Sequence, residues 1–141
     1  MANVQYRKIN LTEFFESYGK AFDDGEKLSK FYGDCALAAA PNFTGCLKGR
    51  EEIHVALNSV AESQRSTGML SLSPQKIEVT KIDDLHSWAK VQWSARFRKT
   101  GNKQILFDIS YLVRENNNSP QILVYVSHQD EQVMRRELGI I

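Results

Sequence analysis

The sequence is short of the features that announce most chemistries. Two cysteines in 141 residues, Cys35 and Cys46, cannot staple a fold. They stand alone, with no second pair and no neighbouring histidine, which excludes a zinc-knuckle spacing and leaves no base for a cysteine nucleophile. A reduced, partly buried thiol is the expected state of each. No run approaches the ~18 apolar residues of a membrane span, and the opening MANVQYRKINL lacks the apolar core of a signal peptide. The chain is therefore expected in the cytoplasm, away from membranes. Charge of one sign is missing too: 18 Lys and Arg face 17 Asp and Glu, so there is no basic surplus for nucleic acid. No glycine-rich phosphate loop, G-x-G-x-x-G, G-x-S-x-G elbow or H-x-x-x-H pair occurs. Neither a metal nor a nucleotide cofactor is expected.

What is present is a length that suits one domain of ~100–150 residues and a single change of periodicity near residue 67. Before it, apolar residues recur with helical spacing. Asn10-Leu-Thr-Glu13 reads as a capped helix start, and Leu11, Phe14, Phe15, Tyr18 and Phe22 form one stripe. Asp23-Asp24-Gly25 is expected to end that helix, with Gly25 in the left-handed conformation. A short helix from Glu26 to Tyr32 follows, then a short strand over Asp34–Pro41. A third helix after Gly49 buries Ile53, Ala56, Leu57 and Val60. Later residues alternate. Ile77 and Val79 mark a strand ended by Asp83-Asp84, and Ala89, Val91, Trp93, Ala95 and Phe97 alternate with polar neighbours through His86–Lys99. Strands over Gln104–Arg114 and Gln121–His128 follow, separated by Asn116–Pro120. A helical turn is expected after Asp130, with Arg135-Arg136-Glu137 as a solvated face.

Strand register decides what faces the core. A two-residue turn at Gly101-Asn102 sets Ala95 opposite Asp108 and Trp93 opposite Ser110. A three-residue connection pairs Phe97 with Phe107, Ala95 with Ile109 and Trp93 with Tyr111, bringing Arg96 opposite Asp108. Burying a lone Asp108 costs several kcal/mol, roughly 2 or more, against ~0.2–1 kcal/mol for any cross-strand pair. The second register is therefore favoured. Continued across the next turn, it points Val126 and His128 inward. The opposite parity brings in Tyr125 and Ser127.

The segments SYGKAFDDGEKLSKFYGDCALAAAP and LKGREEIHVAL, with the strand order after them, resemble the nuclear transport factor 2-like superfamily over nearly the whole chain. The resemblance implies an α+β fold: a cystatin-like cone in which N-terminal helices pack on a curved antiparallel sheet around an apolar pocket. It also implies a homodimer through the outer sheet face, which carries Gln92, Ser94, Arg96, Leu106 and Leu112. By similarity to ketosteroid isomerase, Tyr18 falls at the oxyanion-binding tyrosine. The general base then falls on Ala40, and the second oxyanion donor on Ser110 or Ile109. None of these three is an acid, so that isomerase mechanism is not expected.

Two functions remain in competition. One is a small-molecule pocket with cofactor-independent acid–base chemistry of the SnoaL-like type. In it His128 carries the proton, Tyr18 or Tyr111 donates a hydrogen bond, and Phe22, Ala56, Val60, Trp93, Phe97, Ile109 and Val126 form walls for a small apolar or aromatic ligand. The other is a non-catalytic binding or association module. Each marked residue also has a plain role: Tyr18 as a core aromatic with one hydroxyl partner, His128 as a sheet-edge hydrogen-bonding residue. His54 and His86 are expected at the surface, and Arg96, Arg98, Lys99 and Lys103 as a solvated basic patch.

Overall fold

The computed structural model describes residues 10–116 and 119–141. Helix α1 spans Leu11–Lys20, and the Asn10 side chain caps it by accepting from the Glu13 amide at 2.8 Å. Its stripe is buried as the spacing requires: Leu11, Phe14, Phe15 and Tyr18 turn inward, and Phe22 packs half-buried beyond the helix end. The expected terminator is different. Helix α1 stops at Lys20, and Asp24 instead caps α2 (Gly25–Ser29), accepting from the Lys27 amide. Gly25 is not left-handed. It is small because a Cβ there would stand 2.1 Å from Asn58 Oδ1 on the next long helix.

The strand after α2 is one half of a hairpin. Strand β1 (Tyr32–Ala40) turns at Pro41-Asn42 into β2 (Phe43–Lys48), which the sequence reading did not anticipate. Helix α3 (Gly49–Ser66) buries Ile53, Leu57 and Ala61, with Ala56 half-buried and Val60 42% exposed. Arg50 in its first turn donates to the carbonyls of Ser29 and Tyr32 at 2.8 Å and of Gly33 at 3.2 Å. One guanidinium thus ties the end of α2, the start of β1 and α3 together. At the far end of α3, Arg65 donates to the Asp23 carbonyl.

Four strands follow: β3 (Met69–Lys81), β4 (His86–Phe97), β5 (Ile105–Asn116) and β6 (Ser119–Ser127). The sheet order is β2-β1-β6-β5-β4-β3, and β1 against β6 is the parallel pairing. The expected turn over Asn116–Pro120 lies partly outside the described residues, since 117 and 118 are not among them. Helix α4 (Glu131–Glu137) ends in a left-handed Gly139 (φ 74°). The Ile140 amide donates to the Arg135 carbonyl at 2.8 Å and the Gly139 amide to that of Arg136 at 3.1 Å, the Schellman pattern. Ile140 is buried, and Lys99 donates to its carbonyl, so the C-terminal end of the last helix is pinned.

The alternation of β4 and β5 sorts their faces as expected, but the pairing is offset. Ala95 lies opposite Ile105 and Trp93 opposite Phe107, four residues from the favoured register, because a 3-10 turn over Arg98–Thr100 lengthens the connection. Four is even, so the faces keep their parity. Gln92, not Arg96, is the residue opposite Asp108. Ala89, Val91, Trp93, Ala95 and Phe97 join Ile105, Phe107, Ile109, Tyr111 and Val113 on the buried face.

Parity changes at β6. Val113 lies opposite Ile122, as the continued register requires, but a bulge there inserts Leu123, so Leu112 meets Val124 and Tyr111 meets Tyr125. Tyr125 and Ser127 therefore face inward. Val126 lies opposite Ser110 on the outer face, and His128 stands exposed beside it with Nε2 2.7 Å from Ser110 Oγ. The inward placement expected for Val126 and His128 is thereby overturned: one extra residue reverses every side chain after it.

Candidate functional site

Between the concave sheet face, α3 and α4 lies a cavity of about 390 Å³. Its floor is Trp93, Tyr111, Phe107 and Ile109 from the central strands, and α1 contributes Tyr18. One flank is Ala36, Ala38 and Ala40 of β1, whose small side chains leave the space open. Ala56, Leu57, Val60, Ser63 and Gln64 of α3 form the opposite wall, and Asp130, Glu131 and Arg135 close the end. Of the expected lining, Tyr18, Ala56, Val60, Trp93, Ile109 and Tyr111 are in place. Phe22 and Phe97 are packed in the core outside the lining. Val126 and His128 lie across the sheet.

Four phenols stand among the polar groups of the lining or behind it, each paired with another or with a neighbour. The Tyr18 and Tyr32 hydroxyls stand 2.7 Å apart. The Trp93 indole donates to Tyr111 Oη at 2.9 Å, and Tyr125 donates to Glu131 Oε2 at 3.3 Å. Burial pushes Tyr18 up to about 12, and Tyr32, Tyr111 and Tyr125 are raised for the same reason. All four are therefore neutral donors. Glu131 is raised from the ordinary carboxylate value because desolvation outweighs the pull of Arg135 and Tyr125.

The opposing outer face holds the groups left ambiguous by register. Ser110 is buried there against His128, and Asp108 is partly exposed, its carbonyl accepting from the His128 amide. His54 is exposed, and His86 is tied to the Asp83 carboxylate at 2.9 Å. Cys35 and Cys46 are both free and exposed rather than partly buried, because their parity on the β1–β2 ribbon faces away from Ala36 and Leu47. Among the described residues, no three His, Cys, Asp or Glu side chains gather so as to hold a metal ion, and no helix is long and apolar enough to cross a membrane.

Tyr32, Tyr125, Glu131 and Arg135 belong to the site and were missed. Arg135, expected on a solvated face, is 6% exposed. The usable signal was Leu138-Gly139-Ile140, a helix stop followed by an apolar residue that folds the tail back.

A curved six-stranded sheet with helices across its mouth and an apolar hollow beneath them is the cystatin-like cone, an α+β architecture. The chain belongs to the NTF2-like protein family DUF6841, whose pattern it matches over residues 8–130. Comparison with curated proteins gives no match. Similar folds include an NTF2-like protein with a cystatin-like fold from Novosphingobium aromaticivorans, 16% identical, with a TM-score of 0.66 over 91% of this chain and 85% of that one. A ketosteroid isomerase-like protein from Erwinia carotovora atroseptica is 18% identical, with a TM-score of 0.57 over 81% and 88%. A putative calcium/calmodulin-dependent protein kinase II association domain from Xanthomonas campestris is 11% identical, with a TM-score of 0.62 over 84% of each. At these identities the likeness is one of fold. Of the positions singled out by the resemblance to ketosteroid isomerase, Ala40 and Ile109 line the cavity and Ser110 lies on the outer face.

Proposed function

We propose that this domain binds a small, largely apolar molecule in the cone, and that Glu131, not His128, takes the proton-transfer role there. The observation that carries the reading is the open cavity itself. Its volume lies within the ~300–1,000 Å³ typical of small-molecule sites, and its walls are alanines, aromatics and branched aliphatics with few polar groups converging. A filled interior would have left only an association module.

The donors suit a ligand oxygen. Two phenols sharing one hydrogen bond, Tyr18 and Tyr32, keep one proton over. Tyr111 accepts from Trp93 and retains its own. Glu131, shifted by burial toward its protonated form and linked to Tyr125, is the cavity carboxyl suited to exchange a proton with the ligand. The reading extends to assembly: Leu106, 44% exposed on the outer face, suits pairing of two copies there.

Organic extraction of the purified protein with mass spectrometry, and thermal-shift titration with flat apolar compounds, test the binding. Saturable stabilisation is expected in the wild type and its loss in Ala56→Phe, which fills the hollow. Compounds that stabilise both proteins equally sink the assignment.

A further inference from the structure

We infer that the ligand is a monocarboxylate whose acid group is held by Arg135, deep in the cavity whose apolar character the preceding reading rests on. Arg135 is more than nine-tenths buried and lines the hollow, yet its guanidinium is poorly satisfied. Its contacts are one long hydrogen bond from Nη1 to Ser63 Oγ at 3.4 Å and the Phe97 ring, whose centroid is 5.8 Å from Cζ. Nε has no hydrogen-bond partner, and no carboxylate lies within ion-pair distance among the described residues. A buried cation left so costs more than most single interactions contribute. Gln64, next in sequence to the Ser63 that Arg135 contacts and also in the cavity lining, likewise has its Oε1 buried without a partner.

These vacant positions point to a planar acceptor. A carboxylate matches the Nε–Nη edge with two parallel hydrogen bonds. The Gln64 amide can turn by half a rotation to add an N–H to the same group. Neither local acid is paired with Arg135, although Glu131 feels its charge. Asp130 accepts the Gln132 and Val133 amides as the helix cap, and Glu131 turns to Tyr125. Their proximity nevertheless disfavours a dianion, so a phosphate monoester fits poorly where a single negative charge does not. The aromatic and aliphatic walls then take a hydrocarbon body.

Calorimetry with 2-naphthoate and its neutral isostere 2-naphthamide tests this in the wild-type protein and in Arg135→Gln. The acid is expected to bind the wild type about tenfold or more tightly than the amide. In Arg135→Gln that preference for the acid over the amide is expected to vanish. The wild-type comparison needs no substitution and decides the matter if the variant does not fold. Equal binding of acid and amide, or a preference that survives in Arg135→Gln, overturns the carboxylate assignment. Binding of the amide alone overturns it while leaving the apolar cavity reading intact; binding of neither compound overturns both.

Discussion

Gly19 sits on α1 where the helix meets β3, and replacing it by alanine sets two effects of opposite sign against each other. Helix propensity alone favours alanine by ~0.8–1.0 kcal/mol. The tertiary structure opposes it. A Cβ at residue 19 would stand 2.4 Å from the Leu72 carbonyl oxygen, 3.2 Å from its carbon and 3.3 Å from Trp93 Cζ3. The nearest obstacle is backbone inside a paired strand, so it cannot swing aside. The helix must lift instead, loosening Phe15 and Tyr18 from Trp93, against which their rings pack at 6.2 and 5.7 Å. Overpacking of this kind costs typically ~1–3 kcal/mol and sometimes more. With backbone as the obstacle the upper end applies, and the net expectation is a loss of about 2 kcal/mol. A domain of this length loses roughly 3 °C of Tm per kcal/mol, so Tm falls by about 6 °C. Urea unfolding and thermal melts of Gly19→Ala measure it. Gly45→Ala is the control, since nothing lies within 4 Å of a Cβ there, and it should leave Tm unchanged or slightly raised. A Gly19→Ala protein as stable as the wild type would refute the close-packed helix–strand contact.

Three further outcomes follow from the same structure. Arg50→Ala removes the donor to three carbonyls and should lower stability by about 1–3 kcal/mol in urea titrations, with Arg50→Lys recovering only part. Glu131 has a folded pKa above its unfolded one, so its contribution is complete below pH ~4.5 and is lost as pH rises through the raised value. Glu131→Gln should therefore match the wild type at pH 4 and exceed it at pH 7, and a less stable variant at pH 7 would contradict the burial. Tyr18 ionises near 10 when unfolded and near 12 when folded, so stability is complete below pH 10 and falls as pH rises through 12, by roughly 2–3 kcal/mol for this residue alone. In a Tyr6→Phe protein, which keeps the four cavity phenols, tyrosinate absorbance should appear together with loss of circular dichroism, not before it.

What could be read without coordinates was whatever depends on local periodicity. The stripe of Leu11, Phe14, Phe15 and Tyr18 determined a helix and its buried side, and the alternation through β4 and β5 determined which residues share a face. Trp93 and Tyr111 meet inside the cone, as that alternation requires, even though the pairing between their strands slipped by four. Strand β2 escaped notice because it is an edge, where Phe43 and Cys46 stay exposed and leave no apolar pattern.

Tertiary structure alone decided which polar groups face the cavity. Residues 124–128 offer plausible inward side chains in either parity, so only the bulge at Leu123 settles that Tyr125 enters the cavity and His128 leaves it. Glu131 and Arg135 look like any charged pair four apart on a surface helix. Arg135 is buried and Glu131 half-buried because Gly139 turns the chain and Ile140 docks in the core. Periodicity is a property of neighbours along the chain, whereas burial of a charge depends on what a distant segment lays over it.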